Sequence, residues 1–294
     1  MDLRVATCLE IAERCAQGTI SAQIALMEML IASEELGPIE RALAHLALTD
    51  GAEMHQQLLR VFADNRAGCD KIARLLRSEA AESSWPSSAA SIAYYSALFD
   101  GLVSQSEETS VALYSLGNPQ ILAAATDEIV GLLLQGGRVA PRTRVLDVGC
   151  GIGRIAVALA PHVAHIDGID ISTQMVAVAT QRCAALHNVR IRHCSGQDFS
   201  AFASGDKQLV LAVDSFPYVV QAGPPLVETI FAEAARVLAP GGCFVLLNFS
   251  YRGDLARDRA DAVELAARHG FVVEQLGEQP FSLWNGAVFA LRRS

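Results

Sequence analysis

The chain has 294 residues, 51 % apolar and 19 % charged, a balance that excludes a disordered tract and leaves length for one large domain or two modest ones. Its formal net charge of −9 excludes attraction of the whole molecule to nucleic acid or to an anionic membrane. Cys8, Cys15, Cys69, Cys150, Cys183, Cys194 and Cys243 form no C-x-x-C pair and are odd in number, which argues against a sulfur-built zinc site and a disulfide framework. No apolar run reaches the ~18 residues of a membrane helix. Met1-Asp2-Leu3-Arg4 opens without the basic segment and apolar run of a signal peptide. The expectation is a cytoplasmic protein with reduced thiols and with no membrane, nucleic-acid or metal partner.

Apolar residues first recur at helical spacing in Leu9, Ile11, Ala12, Cys15 and Ala16, then in Ile24, Leu26, Met27, Leu30 and Ile31. Ser21 is placed to cap the second run. Gly37-Pro38 breaks the chain, and Pro38 fits the first turn of a helix that ends near Leu48. Leu58, Leu59, Val61, Phe62, Ile72, Leu75 and Leu76 continue the pattern, and the serine-rich stretch 82–88 reads as a turn or linker. Helices are expected over 88–104 and 106–115; Gly117-Asn118-Pro119 punctuates, and a helix over 120–135 ends at Gly136-Gly137.

From residue 142 short apolar runs alternate with helical ones. Strands are predicted at 144–148, 165–169, 189–193, 209–213, 243–249, 271–276 and 287–291, with helices at 156–159, 174–186, 227–238 and 255–269. This alternation predicts a parallel sheet with helices on both faces. Only a loop joins the last two strands, so they should pair antiparallel, because a parallel crossover needs a dozen or more residues. Two regions are expected: a helical one over 1–115 and an α/β domain over 116–294.

The main chemical signal is Val145-Leu146-Asp147-Val148-Gly149-Cys150-Gly151-Ile152-Gly153, a buried strand running into a glycine-rich turn. Glycines permit positive φ and close approach of a ligand to the backbone. A dinucleotide loop is a rival reading, but it spaces its glycines G-x-G-x-x-G, whereas here the spacing is G-x-G-x-G and Arg154 takes the place of the third glycine. Asp147 suits a ligand with an ammonium group better than a pyrophosphate, which it would repel. Asp170 closes the next strand, 23 residues after Asp147, where a carboxylate can accept from both ribose hydroxyls; it or Ser172 could also cap the following helix. Asp198, in Ser195-Gly196-Gln197-Asp198-Phe199, follows the third strand and can accept from an adenine amino group.

Taken in order, these residues resemble the class I S-adenosylmethionine-dependent methyltransferases, over about 120–292. The resemblance implies a Rossmann-like, seven-stranded, mostly parallel sheet with an antiparallel last strand, and an enzyme whose cofactor is S-adenosyl-L-methionine. It implies that Asp147, Gly149 and Gly151 hold the methionine part of the donor, Asp170 the ribose and Asp198 the adenine, with Cys150, Ile171, Gln197 and Asp214 completing the donor site. Pro240-Gly241-Gly242 is similar to the family's turn before the fifth strand. Residues 1–115 lie outside the shared core and look like the helical extension of some bacterial small-molecule methyltransferases.

The acceptor should sit beyond the carboxyl ends of the strands. Asp214 and Tyr218, after the fourth strand, are the candidate catalytic residues: Asp214 to orient the acceptor or take its proton, Tyr218 to line the pocket. Asn248, Tyr251 and Arg252 follow the fifth strand, and Tyr114 precedes the sheet; these are candidate substrate residues, Arg252 by holding a carboxylate or phosphate. Trp284-Asn285-Gly286 reads as a hairpin turn with an aromatic anchor. His162, His165 and His193 have no third partner at metal-ligand spacing. The expected reaction is direct in-line methyl transfer to a small molecule, in which alignment supplies much of the acceleration. Two alternatives stand beside it: an NAD(P)-dependent oxidoreductase, and a non-catalytic S-adenosylmethionine-binding module with a helical partner surface.

Overall fold

The computed structural model describes residues 2–47, 53–78 and 85–294. The helix end expected near Leu48 and the part of the 82–88 turn before Trp85 lie outside the described residues. In chain order the elements are α1 (Leu3–Ala16), α2 (Ala22–Ser33), α3 (Leu36–Ala47), α4 (Glu53–Ser78), α5 (Ser88–Gln105), α6 (Glu107–Val111), α7 (Pro119–Gln135), β1 (Arg144–Val148), α8 (Arg154–Leu159), β2 (His165–Asp170), α9 (Thr173–Arg182) and β3 (Val189–His193). They continue with β4 (Lys207–Val213), α10 (Phe216–Gln221), α11 (Pro224–Val237), β5 (Leu238–Leu247), α12 (Leu255–Arg268), β6 (Phe271–Glu278) and β7 (Val288–Arg293).

These elements gather into two compact units whose segments alternate along the chain. One holds Met1–Glu82, Gln105–Ala125 and Phe281–Asn285; the other holds Ser83–Ser104, Thr126–Pro280 and Gly286–Ser294. The sequence reading draws a single boundary at 115/116. The units instead exchange segments, so that almost all of α5 belongs with the sheet.

In the helical unit, α1 to α4 bury a shared core that includes Cys8, Leu26, Met29, Leu30, Ile39 and Leu58. The Asp2 carboxylate caps α1 by accepting from Arg4 N (3.1 Å), and Ser21 Oγ caps α2 by accepting from Ile24 N (3.4 Å). Pro38 lies in the first turn of α3, as its position predicts, where proline's missing N–H costs nothing; the helix starts two residues earlier, at Leu36. Asn65 interrupts α4 with non-helical dihedrals (φ −117°, ψ 16°) and accepts from Asn118 Nδ2 at 2.7 Å. One turn on, a Cβ at Gly68 would overlap the Leu116 carbonyl, so only glycine lets that backbone come so close. The helix expected over 106–115 is broken at Ala112 into α6 and a short 3-10 turn.

The second unit is a seven-stranded sheet in the order β3-β2-β1-β4-β5-β7-β6. β1 to β5 are mutually parallel, and β7 runs antiparallel to both β5 and β6, as the short final connection requires. Both faces are covered, which is why β1, β4 and β5 read as near-continuous apolar runs. Leu146, Val210, Phe231, Phe244, Leu246 and Phe289 are among the residues of the resulting core. Strand order reverses between β1 and β4, and in open α/β sheets ligands bind beyond that point, at the carboxyl ends of the strands. At the start of β4, Lys207 is fully buried and neutralised by Asp167 (2.5 Å) and Asp206 (3.0 Å). Among the described residues no helix is long and apolar enough to cross a membrane.

Candidate functional site

β1 delivers Asp147 and Val148 directly into the glycine turn. Gly149, Gly151 and Gly153 all take left-handed dihedrals (φ 69°, 53° and 76°), which is the conformation that only glycine adopts cheaply. The turn is braced on β2: Gly149 N and Cys150 N donate to Ile169 O (2.8 and 3.0 Å), and Gly151 N donates to Asp170 Oδ2 (2.8 Å). At Gly149 space is also decisive, because a Cβ there would overlap the Ser215 side chain. Ser215 Oγ in turn donates to Val148 O at 2.5 Å, tying the end of β4 to the end of β1.

Asp147 is 2 % exposed, and its Oδ2 is buried with no hydrogen-bond partner among the described residues. Burial pushes this carboxyl up to about 7; the Arg154 guanidinium pulls it down and the Asp170 carboxylate raises it further. Asp170 is also buried, and burial raises its carboxyl against the hydrogen bonds it accepts from backbone N–H groups. Its Oδ1 accepts from Ser172 N at 2.9 Å, so it serves both the loop and the entry to α9. Each of its oxygens has a second lone pair for a ligand hydroxyl. Cys150 is buried, with Sγ lying where a Cβ on Gly168 of β2 would contact it; it packs the loop onto the sheet.

The structure brings Asp147, Gly149, Gly151 and Asp170 together, with Ile171 immediately following. It uses the Asp198 carboxylate otherwise. Asp198 Oδ1 accepts from Ser200 N (3.0 Å) and Ser200 Oγ (2.6 Å), which lowers its pKa, and the residue lines a surface hollow with Thr229, Glu233 and Arg236 of α11. Gln197 is left exposed at the same strand end.

Beyond β4 and β5 lies a second cluster. Asp214 and Asn248 both adopt left-handed dihedrals (φ 59° and 68°), uncommon for residues with a Cβ. Asp214 Oδ1 accepts from Asn248 Nδ2 (2.9 Å) and from the Tyr251 hydroxyl (2.7 Å). Burial raises the Asp214 carboxyl, opposed by these two hydrogen bonds and by the Arg154 charge. The Tyr251 phenol is pushed well above its ordinary range by burial of its hydroxyl end and by the Asp214 charge. Asn248 is itself held by Ala287, donating N to its carbonyl (2.8 Å) and accepting from its N–H on Oδ1 (3.0 Å). Tyr218, in the first turns of α10, has its ring 5.6 Å from that of Tyr251.

Two sequence candidates take other roles. The Arg252 guanidinium is bound by Asp258 and by Asp261 (2.7 Å), so it ties the loop after β5 to α12 instead of standing open for an anion. Tyr114 is 1 % exposed within the helical unit and packs on Trp284 (5.5 Å between centroids), which also stacks on Phe281. The aromatic anchor expected at Trp284 is therefore present, and Tyr114 is its partner. One residue was passed over: the charge of Arg154, first residue of α8, acts on both Asp147 and Asp214. Its place directly after the glycine turn was the signal.

A doubly wound sheet with this strand order, a reversed seventh strand, and acids closing β1 and β2 around a left-handed glycine loop defines the class I S-adenosylmethionine-dependent methyltransferase fold. Residues 145–242 match the family model of a methyltransferase domain. The human mitochondrial citrate synthase-lysine N-methyltransferase is 33 % identical over 143 residues, covering 42 % of this chain and 59 % of that protein. The ubiquinone biosynthesis O-methyltransferase of Aromatoleum aromaticum is 32 % identical over 115 residues, 38 % of this chain and 47 % of that protein. The chain thus spans about half the length of the curated relatives it matches. Among solved structures, phosphoethanolamine N-methyltransferase 1 of Haemonchus contortus shares the fold, with a TM-score of 0.54 at 13 % identity over 70 % of this chain and 49 % of that one. The match to a methyltransferase domain begins in β1 and ends within β5, so it takes in the glycine turn and Asp170.

Proposed function

We propose that the chain transfers a methyl group from S-adenosylmethionine to a small-molecule acceptor by direct in-line displacement. The observation that carries the reading is Asp147: a buried carboxylate oxygen without a partner, beside a glycine turn, is a site waiting for a donor group such as an ammonium. The residues fit the proposed ligand. Asp147 receives the ammonium of the methionine part, Arg154 faces its carboxylate, and the glycines admit the chain of the ligand close to the backbone. Asp170 accepts from the ribose hydroxyls, while Ile171 and Gln197 edge the adenine.

S-adenosylmethionine brings a methyl group already activated by its sulfonium, so the protein's part is alignment and proton handling. Asp214, fixed by Asn248 and Tyr251, orients the acceptor and takes its proton; Tyr218 and Tyr251 line the pocket. The two named relatives differ in acceptor: one is an O-methyltransferase of ubiquinone biosynthesis, the other a citrate synthase-lysine N-methyltransferase. The net charge of −9 favours a small acceptor over a nucleic acid.

Calorimetric titration of the full chain with S-adenosylmethionine and with NAD tests the donor: saturable binding of the first alone is expected, and binding of NAD alone would replace this reading with the oxidoreductase one. Incubation with isotopically labelled donor and a metabolite extract, read by mass spectrometry, tests the acceptor class. A labelled small molecule is expected; donor binding with no transfer to any metabolite would favour a non-catalytic binding module.

A further inference from the structure

The acceptor side of the proposed site carries more chemistry than a shape. Tyr95 and Phe99 lie one turn apart on α5, and both rings meet Tyr218 of α10, at 4.8 Å and 60° and at 5.1 Å and 90° between centroids and planes. Tyr218 then meets Tyr251 at 5.6 Å and 81°. The four rings make a continuous aromatic wall, steeply tilted or edge-to-face at each step. It leads from the buried Tyr95 to Tyr251, which is 47 % exposed. The Tyr251 hydroxyl ends that wall on Asp214.

The hydrogen bonds that Asn248 and Tyr251 donate to the Asp214 carboxylate both fall on Oδ1, and neither uses Oδ2. The carboxylate is also fixed in place, since two left-handed residues, Asp214 and Asn248, are held there by each other and by Ala287. A fixed carboxylate at the rim of an aromatic wall is an arrangement selective for a cation: the rings attract positive charge by their quadrupoles, and the carboxylate pairs with it. A neutral hydroxyl gains neither term.

Building on the methyl-transfer reading, we infer that the acceptor is a small amine, bound as its ammonium against Tyr218 and Tyr251 with an N–H directed at Asp214 Oδ2. The chemistry balances without a further reactant. The ammonium gives one proton to Asp214, and the freed nitrogen lone pair forms the bond to the methyl carbon. The carbon–sulfur bond breaks with its electron pair staying on sulfur, giving S-adenosylhomocysteine and an N-methylammonium product. Asp214 then returns its proton to solvent.

The test uses the full chain saturated with S-adenosylhomocysteine, titrated calorimetrically with phenethylamine and with its uncharged counterpart 2-phenylethanol. The amine is expected to bind at least about tenfold more tightly, from the ion pair and the cation–π contact together. Asp214→Asn, tolerated at positive φ, should bring the two affinities level. Tyr218→Leu, a second variant that leaves the carboxylate in place, should lower amine affinity severalfold while S-adenosylhomocysteine binds as before. Equal or tighter binding of the alcohol overturns the inference, as does heat from neither probe on a protein that binds S-adenosylhomocysteine. Loss of S-adenosylhomocysteine binding in the unaltered chain would overturn the donor reading itself, and this inference with it.

Discussion

Asp147 meets two opposed demands, burial and charge. Without ligand its carboxyl is pushed up to about 7, chiefly by burial. Between the ordinary carboxyl value of 3.8 and about 7 the folded state holds a proton that the unfolded chain has released, so this residue's contribution is intact below that window and is lost as pH rises through it. A ligand ammonium reverses the balance by favouring the carboxylate. Binding of S-adenosylhomocysteine near pH 6 should therefore release close to one proton per site. Its affinity should climb by about tenfold per pH unit below 7 and level off above. Calorimetry in buffers of different ionisation enthalpy measures the released proton, and Asp147→Asn should abolish both the release and the slope. At Gly149 the predicted penalty is steric: alanine must keep a left-handed φ of 69° and overlap Ser215, so Gly149→Ala should lose ~2–4 kcal/mol of stability by denaturant unfolding. Glycine spacing made Asp147 and Asp170 legible in the sequence because their roles depend on the local turn and the next strand. Asp198 and Arg252 were not legible in the same way. Their carboxylate and guanidinium are claimed by Ser200 and by Asp258 and Asp261, and a strand-end position does not reveal which competitor wins.

Among the elements, α5 shows where periodicity stops informing. Its apolar spacing made it a helix in the sequence, but nothing there assigned it to the sheet. The assignment is made by side chains reaching across long separations: Ser88 Oγ donates to Ala222 O (2.9 Å), Ser96 Oγ to Ile171 O (2.8 Å), and Tyr95 donates to Gln221. Asp100 acts as a capping residue for another helix. Its Oδ1 accepts from Ser172 Oγ (2.6 Å) and Gln174 N (3.0 Å), satisfying N–H groups at the start of α9 while Ser172 Oγ accepts from Met175 N (3.0 Å). Asp100→Ala should cost ~1–2 kcal/mol and speed amide hydrogen exchange in α5 and in the first turn of α9 more than in the sheet. Uniform loss of protection throughout the sheet would show that α5 is not held as a separate clasp. The short helix α10 escaped the sequence reading for a related reason. Its proline falls in the first helical turn, where it is permitted, and six residues are too few for helical spacing to show in the sequence.

At the scale of the whole molecule, the sheet order and the reversed final strand followed from strand–helix alternation and one short connection, which is why they could be read in advance. The partition of the chain could not, because segments 83–104 and 286–294 join the sheet unit only through contacts distant in sequence. That partition makes a test of the simple boundary at 115/116. A fragment covering 116–294 keeps every strand and the glycine turn but lacks α5. It thereby loses the packing of Ile92 over Gly196, the Asp100 cap on α9, and the Tyr95 and Phe99 rings against Tyr218. Each loss uncovers apolar surface or a helix terminus beside the donor loop, so their effects should compound where they share neighbours. The fragment is expected to melt at least ~5 °C below the full chain and to bind S-adenosylhomocysteine at least about tenfold more weakly. Differential scanning fluorimetry and calorimetry on the two proteins measure both quantities. If the fragment matches the full chain in melting and affinity, α5 contributes nothing to the donor site, and the boundary drawn from sequence alone is the functional one.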